Sequence, residues 1–168
     1  MKEASKKLVQ KYKGNYIREM RKLVGHAPLY CTSVGVIIDI EKGEVLLQQR
    51  KDNLNWGLIG GGMEIGEKYV ETIVREAYEE AGITVNDLRL FGIYSGEDRV
   101  IEYPNDDICC VTSIVFITSS YEGTILHNTE EAIKHEFFAK DHLPEDINEF
   151  DKRYLDDWIK YNGSVIVD

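Results

Sequence analysis

Five glycines fall within a short stretch of the chain, at positions 57, 60, 61, 62 and 66. A regular helix or strand does not tolerate this density, because glycine loses more conformational freedom on folding than other residues and is favoured where the backbone needs unusual dihedral angles. We therefore predict a shaped loop over residues 52–66, containing a short strand at residues 58–59. A loop of this kind brings backbone amides and carbonyls close to a ligand.

A helix is predicted directly after this loop, over residues 68–81. Apolar side chains recur there at three- and four-residue spacing, which is the pattern of a helix with one face on the core. The expected apolar stripe consists of Val70, Ile73, Val74, Ala77 and Ala81. Gly82 is well placed to cap the carboxyl end of the helix.

Three glutamates share that helix. Glu76, Glu79 and Glu80 are spaced by three and four residues, so we expect them to lie together on the face away from the apolar stripe. Like charges at this spacing destabilise a helix by a few tenths of a kcal/mol per pair, and Arg75 or a bound cation would offset that repulsion. Clustered carboxylates favour a hard ion such as Mg²⁺ or Mn²⁺ over zinc. Glutamate-rich helix faces are usually only solvated, however, so the cluster alone does not decide.

The other elements predict a mixed sheet flanked by helices. Residues 4–24 indicate one broken helix or two short ones, interrupted by Gly14 and closed by Gly25. A hairpin is expected over residues 31–50, with its turn at residues 41–44. Further strands are expected at residues 88–94, 108–118 and 133–139, and a closing helix at residues 151–161.

Composition restricts the class of protein. The 168 residues suit one domain, and 43% hydrophobic with 30% charged residues is typical of soluble globular proteins. The amino-terminal residues contain no apolar stretch long enough for a signal peptide or a membrane span, which predicts a cytoplasmic protein. A formal net charge of −10 disfavours binding to nucleic acid, and an anionic substrate would need a bridging divalent cation.

Cysteine and histidine are not arranged as metal ligands. Cys31, Cys109 and Cys110 lie in apolar, strand-like segments, and their odd number without ligand spacing predicts three reduced core thiols. The four histidines are scattered, with no pair at helical spacing, so we assign them no chemistry.

The segment from Gly61 to Ile83 resembles the Nudix box, G-x5-E-x7-R-E-U-x-E-E-x-G-U, in which U is apolar. The fixed positions are matched in register by Gly61, Glu67, Arg75, Glu76, Glu79, Glu80 and Gly82. Seven such matches in one window have a chance probability on the order of 10⁻⁸ at average residue frequencies. Residues 47–50 and 56–61 also resemble the segments that precede the box, so the resemblance covers most of residues 31–143. Two departures are Ala77, which is smaller than the usual residue, and Ile59, where the family commonly has proline.

Similarity to the Nudix family implies an α/β/α sandwich around a mixed β-sheet. The expected division is an amino-terminal helical extension over residues 1–28 and a Nudix domain over residues 29–168, within a single domain overall. The implied activity is a pyrophosphohydrolase that uses Mg²⁺, or Mn²⁺ as a substitute, and an activated water to cleave the diphosphate linkage of a small nucleotide-like molecule. The sequence carries no signature for one substrate among oxidised nucleoside triphosphates, nucleotide sugars, ADP-ribose and dinucleoside polyphosphates.

The resemblance also implies roles for single residues. The metal ligands would be Glu76, Glu79, Glu80 and the carbonyl of Gly60. Supporting roles beside them fall to Glu67 and Arg75. Glu76 is the first choice as general base, with Glu130 or Glu131 as alternatives. Substrate would be bound by Arg50, Gly61 and Tyr103, although Arg50 could equally be a strand-end residue and Tyr103 a locally packed turn residue.

Two other classes of protein compete with the enzyme. A Nudix-fold binding or regulatory module would keep the shape without hydrolysis, but it would not need three clustered glutamates. A helical interaction domain with an acidic face would leave the five-glycine loop unexplained. The sequence leaves monomer and homodimer equally open.

Overall fold

The computed structural model describes residues 2–40 and 43–168, and this part of the chain forms four α-helices and eleven β-strands. The helices are α1 (Glu3–Tyr12), α2 (Tyr16–Val24), α3 (Tyr69–Ala81) and α4 (Glu149–Ile159). The strands are β1 (Leu29–Ile38), β2 (Glu44–Arg50), β3 (Trp56–Gly57), β4 (Ile59–Gly62), β5 (Ile83–Asn86), β6 (Arg89–Tyr94), β7 (Val100–Glu102), β8 (Ile108–Thr118), β9 (Ser120–Gly123), β10 (Ala132–Ala139) and β11 (Ile166–Val167).

The main sheet is mixed and has six strands. Its order is β11-β6-β8-β1-β4, and β7 also pairs with β8. The two longest strands, β1 and β8, run parallel and stay in register from Leu29 opposite Cys109 to Ile38 opposite Thr118. β4 adds to β1 in the antiparallel direction. Two smaller sheets, β10-β2-β3 and β5-β9, complete the fold.

Each face of the main sheet is covered by a helix. Successive side chains of β1 and β8 point to opposite sides, so these strands contribute apolar residues to a core on each face. The core beneath α3 includes Val34, Val36, Ile38, Ile73 and Ala77. The core beneath α4 includes Ile37, Val115, Ile117, Leu155 and Trp158. The predicted α/β/α sandwich around a mixed sheet is confirmed.

The amino-terminal segment forms two short helices, which is one of the two predicted alternatives. The chain turns between them at Gly14 (φ 70°), and α2 ends at Gly25 (φ 62°), both in a backbone conformation that side chains rarely adopt. Neither helix has a fully buried residue. The division of the chain at residue 28 stays a prediction.

The predicted hairpin over residues 31–50 is wrong. Its two strands exist, but they belong to different sheets, and within the described residues their backbones pair at a single bridge between Asp39 and Val45. The last three residues of β1 are buried on both faces, and β1 pairs with distant strands on both edges, which local alternation of side chains cannot reveal. Part of the predicted turn, residues 41–42, lies outside the described residues.

The predicted loop over residues 52–66 contains two short strands, β3 and β4, rather than one at residues 58–59. The helix after it agrees with α3, and Gly82 caps it in the left-handed conformation with φ 70°. One member of the expected apolar stripe is misplaced, since Val70 is exposed and Thr72 is buried instead. The strands β5, β7, β9 and β11 were not predicted, because two to four residues are too few for a periodic signal.

Candidate active site

The glycines of β4 allow helix α3 and strand β1 to approach this strand closely. A Cβ at Gly60 would overlap the Val34 carbonyl oxygen and would lie 2.7 Å from Gly35 Cα. A Cβ at Gly61 would lie 2.5 Å from Glu76 Oε1. Only glycine fits at Gly60, where the clash is with backbone atoms, whereas at Gly61 the Glu76 side chain would have to move. The Glu76 carboxylate of α3 therefore rests directly against the backbone of β4.

Glu80 points into the protein rather than away from it. Its residue is 3% exposed, and one carboxylate oxygen accepts hydrogen bonds from Gln48 Nε2 and from the Gly60 N–H, each at 2.9 Å. Burial raises the pKa of this carboxyl group to about 8. The expectation that all three glutamates share the face away from the core is therefore right for the exposed Glu79 and wrong for Glu80.

Arg75 joins the acidic side chains of the site. Its Nε and Nη2 donate to the two carboxylate oxygens of Glu67, at 2.9 and 3.1 Å. Its Nη1 donates to Glu76 Oε1 at 2.8 Å and to Glu79 Oε2 at 3.1 Å, and Nη2 also reaches the Gly62 carbonyl at 3.1 Å. This fork holds three carboxylates and the end of β4 in one arrangement.

Glu67 anchors the loop that leads into α3. Besides Arg75, it accepts hydrogen bonds from the Glu64 N–H at 3.1 Å and from the Thr72 hydroxyl at 2.9 Å. The Arg75 guanidinium beside it lowers the pKa of this carboxyl group to about 2. Glu67 is thus ionised and fully paired, which suits a residue that positions its neighbours.

The donors around β4 suit a hard divalent cation. Glu76 Oε1 and Glu79 Oε2 share one Arg75 nitrogen, so these two oxygens lie within about 6 Å of each other. The Gly60 carbonyl is directed towards Glu80, because the N–H and C=O of one strand residue point to the same side. Across residues 2–40 and 43–168, no three acidic, histidine or cysteine side chains form a ready-made metal cage. Arg75 separates the carboxylates, which fit such an ion by their chemistry and would converge on binding it.

A cavity of about 700 Å³ opens beside β4. The structure brings all three residues predicted to bind substrate, Arg50, Gly61 and Tyr103, to its lining, together with Gly60. Strands β1, β4 and β8 contribute about half of the wall, and the start of α4 contributes Asn148, Phe150, Asp151 and Tyr154.

Arg50 lies between this cavity and a smaller one of about 280 Å³. Its guanidinium forms a two-point ion pair with Asp52, at 3.0 and 2.8 Å. The two alternative bases, Glu130 and Glu131, line the smaller cavity and are exposed. Arg50 therefore lines both cavities, and the two glutamates share the smaller one with it.

Asp151 is a cavity residue that the sequence analysis missed. It lies in the first turn of α4, and its carboxylate accepts a hydrogen bond from the Leu58 N–H at 3.2 Å. Burial raises its pKa to about 7 from an ordinary value of 3.8. An acidic residue at the start of a helix is common on protein surfaces, so its sequence context gave no signal.

We expect Asp151→Asn to stabilise the protein increasingly as the pH rises. Because folding raises the pKa of Asp151, the carboxyl group favours the folded state fully below pH 3.8, and this contribution is lost as the pH rises through 7. Asparagine cannot ionise and can still accept the Leu58 hydrogen bond. Its advantage in the free energy of unfolding should grow by about 1–3 kcal/mol between pH 5 and pH 8.

Urea unfolding at both pH values measures this difference. The exposed residue Asp156 on the same helix supplies the matched control, Asp156→Asn, whose stability relative to the wild type should change little with pH. An advantage of Asp151→Asn that is equal at pH 5 and pH 8 would contradict the assignment.

The three cysteines are free, as expected, although only Cys109 is fully buried. His135 is buried in β10, where its Nδ1 lies 2.7 Å from the Leu126 carbonyl oxygen, in agreement with a packing role. None of the helices in the described residues has the length and apolar character to span a membrane.

Comparison with known proteins identifies the family. The model of the NUDIX domain matches residues 29–158. A MutT-like protein of Streptomyces ambofaciens is 38% identical over 74 residues, or 44% of this chain and 48% of the relative. An ADP-ribose pyrophosphatase of Methanocaldococcus jannaschii is 39% identical over 109 residues, or 62% of this chain and 60% of the relative. The chain spans about half the length of the curated relatives it matches.

Solved structures agree with this match. A MutT protein from Bacillus halodurans superposes with a TM-score of 0.65 at 30% identity, over 78% of this chain and 83% of that protein. A MutT Nudix hydrolase from Burkholderia pseudomallei gives a TM-score of 0.63 at 25% identity, over 76% and 97% of the two chains. With most of its length matched by the family's model, the chain belongs to the Nudix domain family.

Proposed function

We propose that this protein is a divalent-cation-dependent pyrophosphohydrolase, a hydrolase of acid anhydrides that cleaves the diphosphate linkage of a nucleoside diphosphate derivative. One observation carries the proposal: the carboxylates of Glu76 and Glu80 meet the backbone of β4 at Gly60 and Gly61, and the same two glycines line the cavity. A volume of about 700 Å³ is within the range of pockets that hold small molecules of nucleotide size.

The cation would be held by Glu76, Glu79, Glu80 and the Gly60 carbonyl, all of them hard oxygen donors suited to Mg²⁺ or Mn²⁺. When bound, such an ion neutralises phosphate charge and activates water for attack on phosphorus. It also answers the problem of bringing an anionic substrate to a chain with a net charge of −10.

The residues of the chain divide the remaining work. Arg75 and Glu67 hold the acidic side chains in place through their paired hydrogen bonds. Glu76 is proposed to take the proton from the attacking water, with Glu130 or Glu131 of the smaller cavity as the alternatives. Arg50 would bind a phosphate in exchange for its pairing with Asp52.

The other residues of the cavity lining would contact the rest of the substrate. Tyr103 offers an aromatic ring, and Asp151 offers a carboxyl group that can accept or donate a hydrogen bond near neutral pH. A nucleoside presents both a flat base and polar edges. The ADP-ribose pyrophosphatase among the relatives supports this class of small-molecule substrate. A cytoplasmic location stays a prediction from the sequence. The sequence also predicts either a monomer or a homodimer.

Incubation with a panel of nucleoside diphosphate derivatives tests the proposal. The panel includes ADP-ribose, a nucleotide sugar, a dinucleoside polyphosphate and an oxidised nucleoside triphosphate, and products are identified by chromatography. We expect hydrolysis of at least one class with Mg²⁺, a loss of at least about 100-fold after chelation with EDTA, and recovery with Mg²⁺ or Mn²⁺.

Two results would contradict the enzyme. Turnover that survives complete chelation would remove the role of the cation. Tight binding of a panel member without product would favour the non-hydrolysing Nudix-fold module instead.

A further inference from the structure

The second amino-terminal helix, α2, reaches the cavity, although the proposed reaction gives neither amino-terminal helix a task. Val9 of α1 packs against Gly66, where a Cβ would lie 3.2 Å from its methyl group. Gly14, between the helices, lies beside the Glu64 carboxylate. Further along, Ile17 and Arg21 of α2 form part of the cavity lining. The segment therefore runs from the loop before α3 to the cavity wall.

Arg21 fastens α2 to the start of β8. Its side chain is 12% exposed, and its Nη1 donates to the carbonyls of Gly25 at 3.1 Å and Ala27 at 2.7 Å. Its Nη2 donates to the Ile108 carbonyl at 2.6 Å, and Nε lies 3.4 Å from Asp107 Oδ1. The terminal nitrogens are thus occupied by backbone carbonyls, so Arg21 is not free to bind a substrate phosphate. Any effect of Arg21 on substrate binding therefore passes through the residues that it positions.

Asp107 is the point where α2 meets the loop of residues 103–107. The Tyr103 N–H donates to the Asp107 carbonyl, and the Asp106 N–H donates to the Tyr103 carbonyl, both at 2.9 Å. The Asp107 carboxylate also contacts His26 Nδ1 at 2.9 Å and accepts from Asn105 Nδ2 at 3.0 Å. The position of Tyr103 in the cavity wall therefore depends on a carboxylate that Arg21 and His26 hold from the amino-terminal side.

Resting on the function proposed above, we propose that α2 and the 103–107 loop form the specificity wall for the nucleobase, with Ile17 and Tyr103 touching it and Arg21 acting as a positioning residue. An aliphatic side chain and an aromatic ring that line the same cavity suit a flat, largely apolar group. The diphosphate end of the substrate lies instead near Arg50 and β4. The wall then governs binding of the base and leaves the chemical step to α3.

The test compares Arg21→Met with Arg18→Met in the full-length protein. Arg18 lies on the same helix, its side chain is 71% exposed, and it does not line the cavity. With a panel substrate and Mg²⁺, Arg21→Met should raise KM at least about 10-fold and change kcat less than about 3-fold. The contact with the base is made equally in the bound substrate and in the transition state, so its loss weakens binding and leaves the chemical step unchanged. Hydrogen exchange of the 103–107 amides should accelerate in Arg21→Met and stay unchanged in Arg18→Met.

A second pair covers the case in which Arg21→Met fails to fold. Ile17→Ala removes a lining side chain without touching Arg21, and Leu23→Ala is its exposed control on α2. Ile17→Ala should raise KM by roughly 3-fold or more, as expected for lost apolar contact, while Leu23→Ala behaves as the wild type. An unchanged KM in Ile17→Ala, or a faster-exchanging loop with unchanged KM in Arg21→Met, would overturn the proposal.

Binding and hydrolysis by the wild type test the proposed function independently of the specificity wall. If the wild type binds a panel nucleotide by calorimetry without hydrolysing it, the pyrophosphohydrolase is wrong, and the ratio of Kd values between variant and control still decides the specificity wall. If the wild type neither binds nor hydrolyses any nucleotide on the panel, both proposals fail.

Discussion

Replacing Glu80 with glutamine is expected to lower kcat by at least about 100-fold, or roughly 2.7 kcal/mol of transition-state stabilisation, while the protein stays folded. The amide removes the negative charge that a divalent cation needs from this ligand. It keeps the size of the side chain, and its oxygen can still accept from Gln48 and from the Gly60 N–H. Activity and stability should therefore separate in this variant.

Steady-state kinetics at saturating Mg²⁺ and a thermal melt measure the two effects. Glu136→Gln is the control, because Glu136 is exposed on β10 and forms an ion pair with its neighbour Lys134 at the surface. The melting temperature of Glu80→Gln should stay within a few degrees of that of the wild type, since the core around Ala77 and Ala81 is unchanged. Full activity in Glu80→Gln would remove Glu80 from the ligand set.

Arg75 neutralises part of the negative charge that is clustered around α3. The guanidinium contacts Glu67, Glu76 and Glu79, so it offsets the repulsion that their spacing on one helix creates. Among the residues that the structure describes, Glu80 has no cationic partner: two neutral donors contact its carboxylate, and burial favours its uncharged form. A bound cation would therefore change the surroundings of Glu80 most, which is why this residue is the sharper test.

Features that depend on local spacing could be predicted from the sequence. The helix α3, its Gly82 cap and the register of its glutamates follow from the helical period and from glycine's access to the left-handed conformation. The pairing of Arg75 with a neighbouring carboxylate also follows, because residues four apart on a helix face each other.

Features that depend on distant partners could not be predicted. Glu80 turns inward because Gln48 of β2 and Gly60 of β4 supply donors there, and neither contact is encoded in the helix. Asp151 enters the cavity because α4 packs across the sheet from a position more than 90 residues after Leu58. β1 and β2 likewise lie in different sheets because β4 and β8 pair with the two edges of β1.

Adding one methyl group at Gly60 is expected to destabilise the protein by at least about 2 kcal/mol and to abolish most activity. The new Cβ would overlap the Val34 carbonyl oxygen and approach Gly35 Cα to 2.7 Å. Both are backbone atoms of β1, whose register with β8 fixes them, so no rotamer change relieves the overlap. β4 has to move away from β1.

Movement of β4 would also disturb the site, because the Gly60 N–H binds Glu80 and its carbonyl is the proposed fourth ligand. Gly62→Ala is the matched control in the same strand, since a Cβ there meets nothing within 4 Å. Urea unfolding should show Gly62→Ala within about 0.5 kcal/mol of the wild type. Should Gly60→Ala unfold at the same urea concentration as Gly62→Ala, β4 does not lie against β1 as described, and the placement of the Glu80 carboxylate beside the cavity would lose its structural basis.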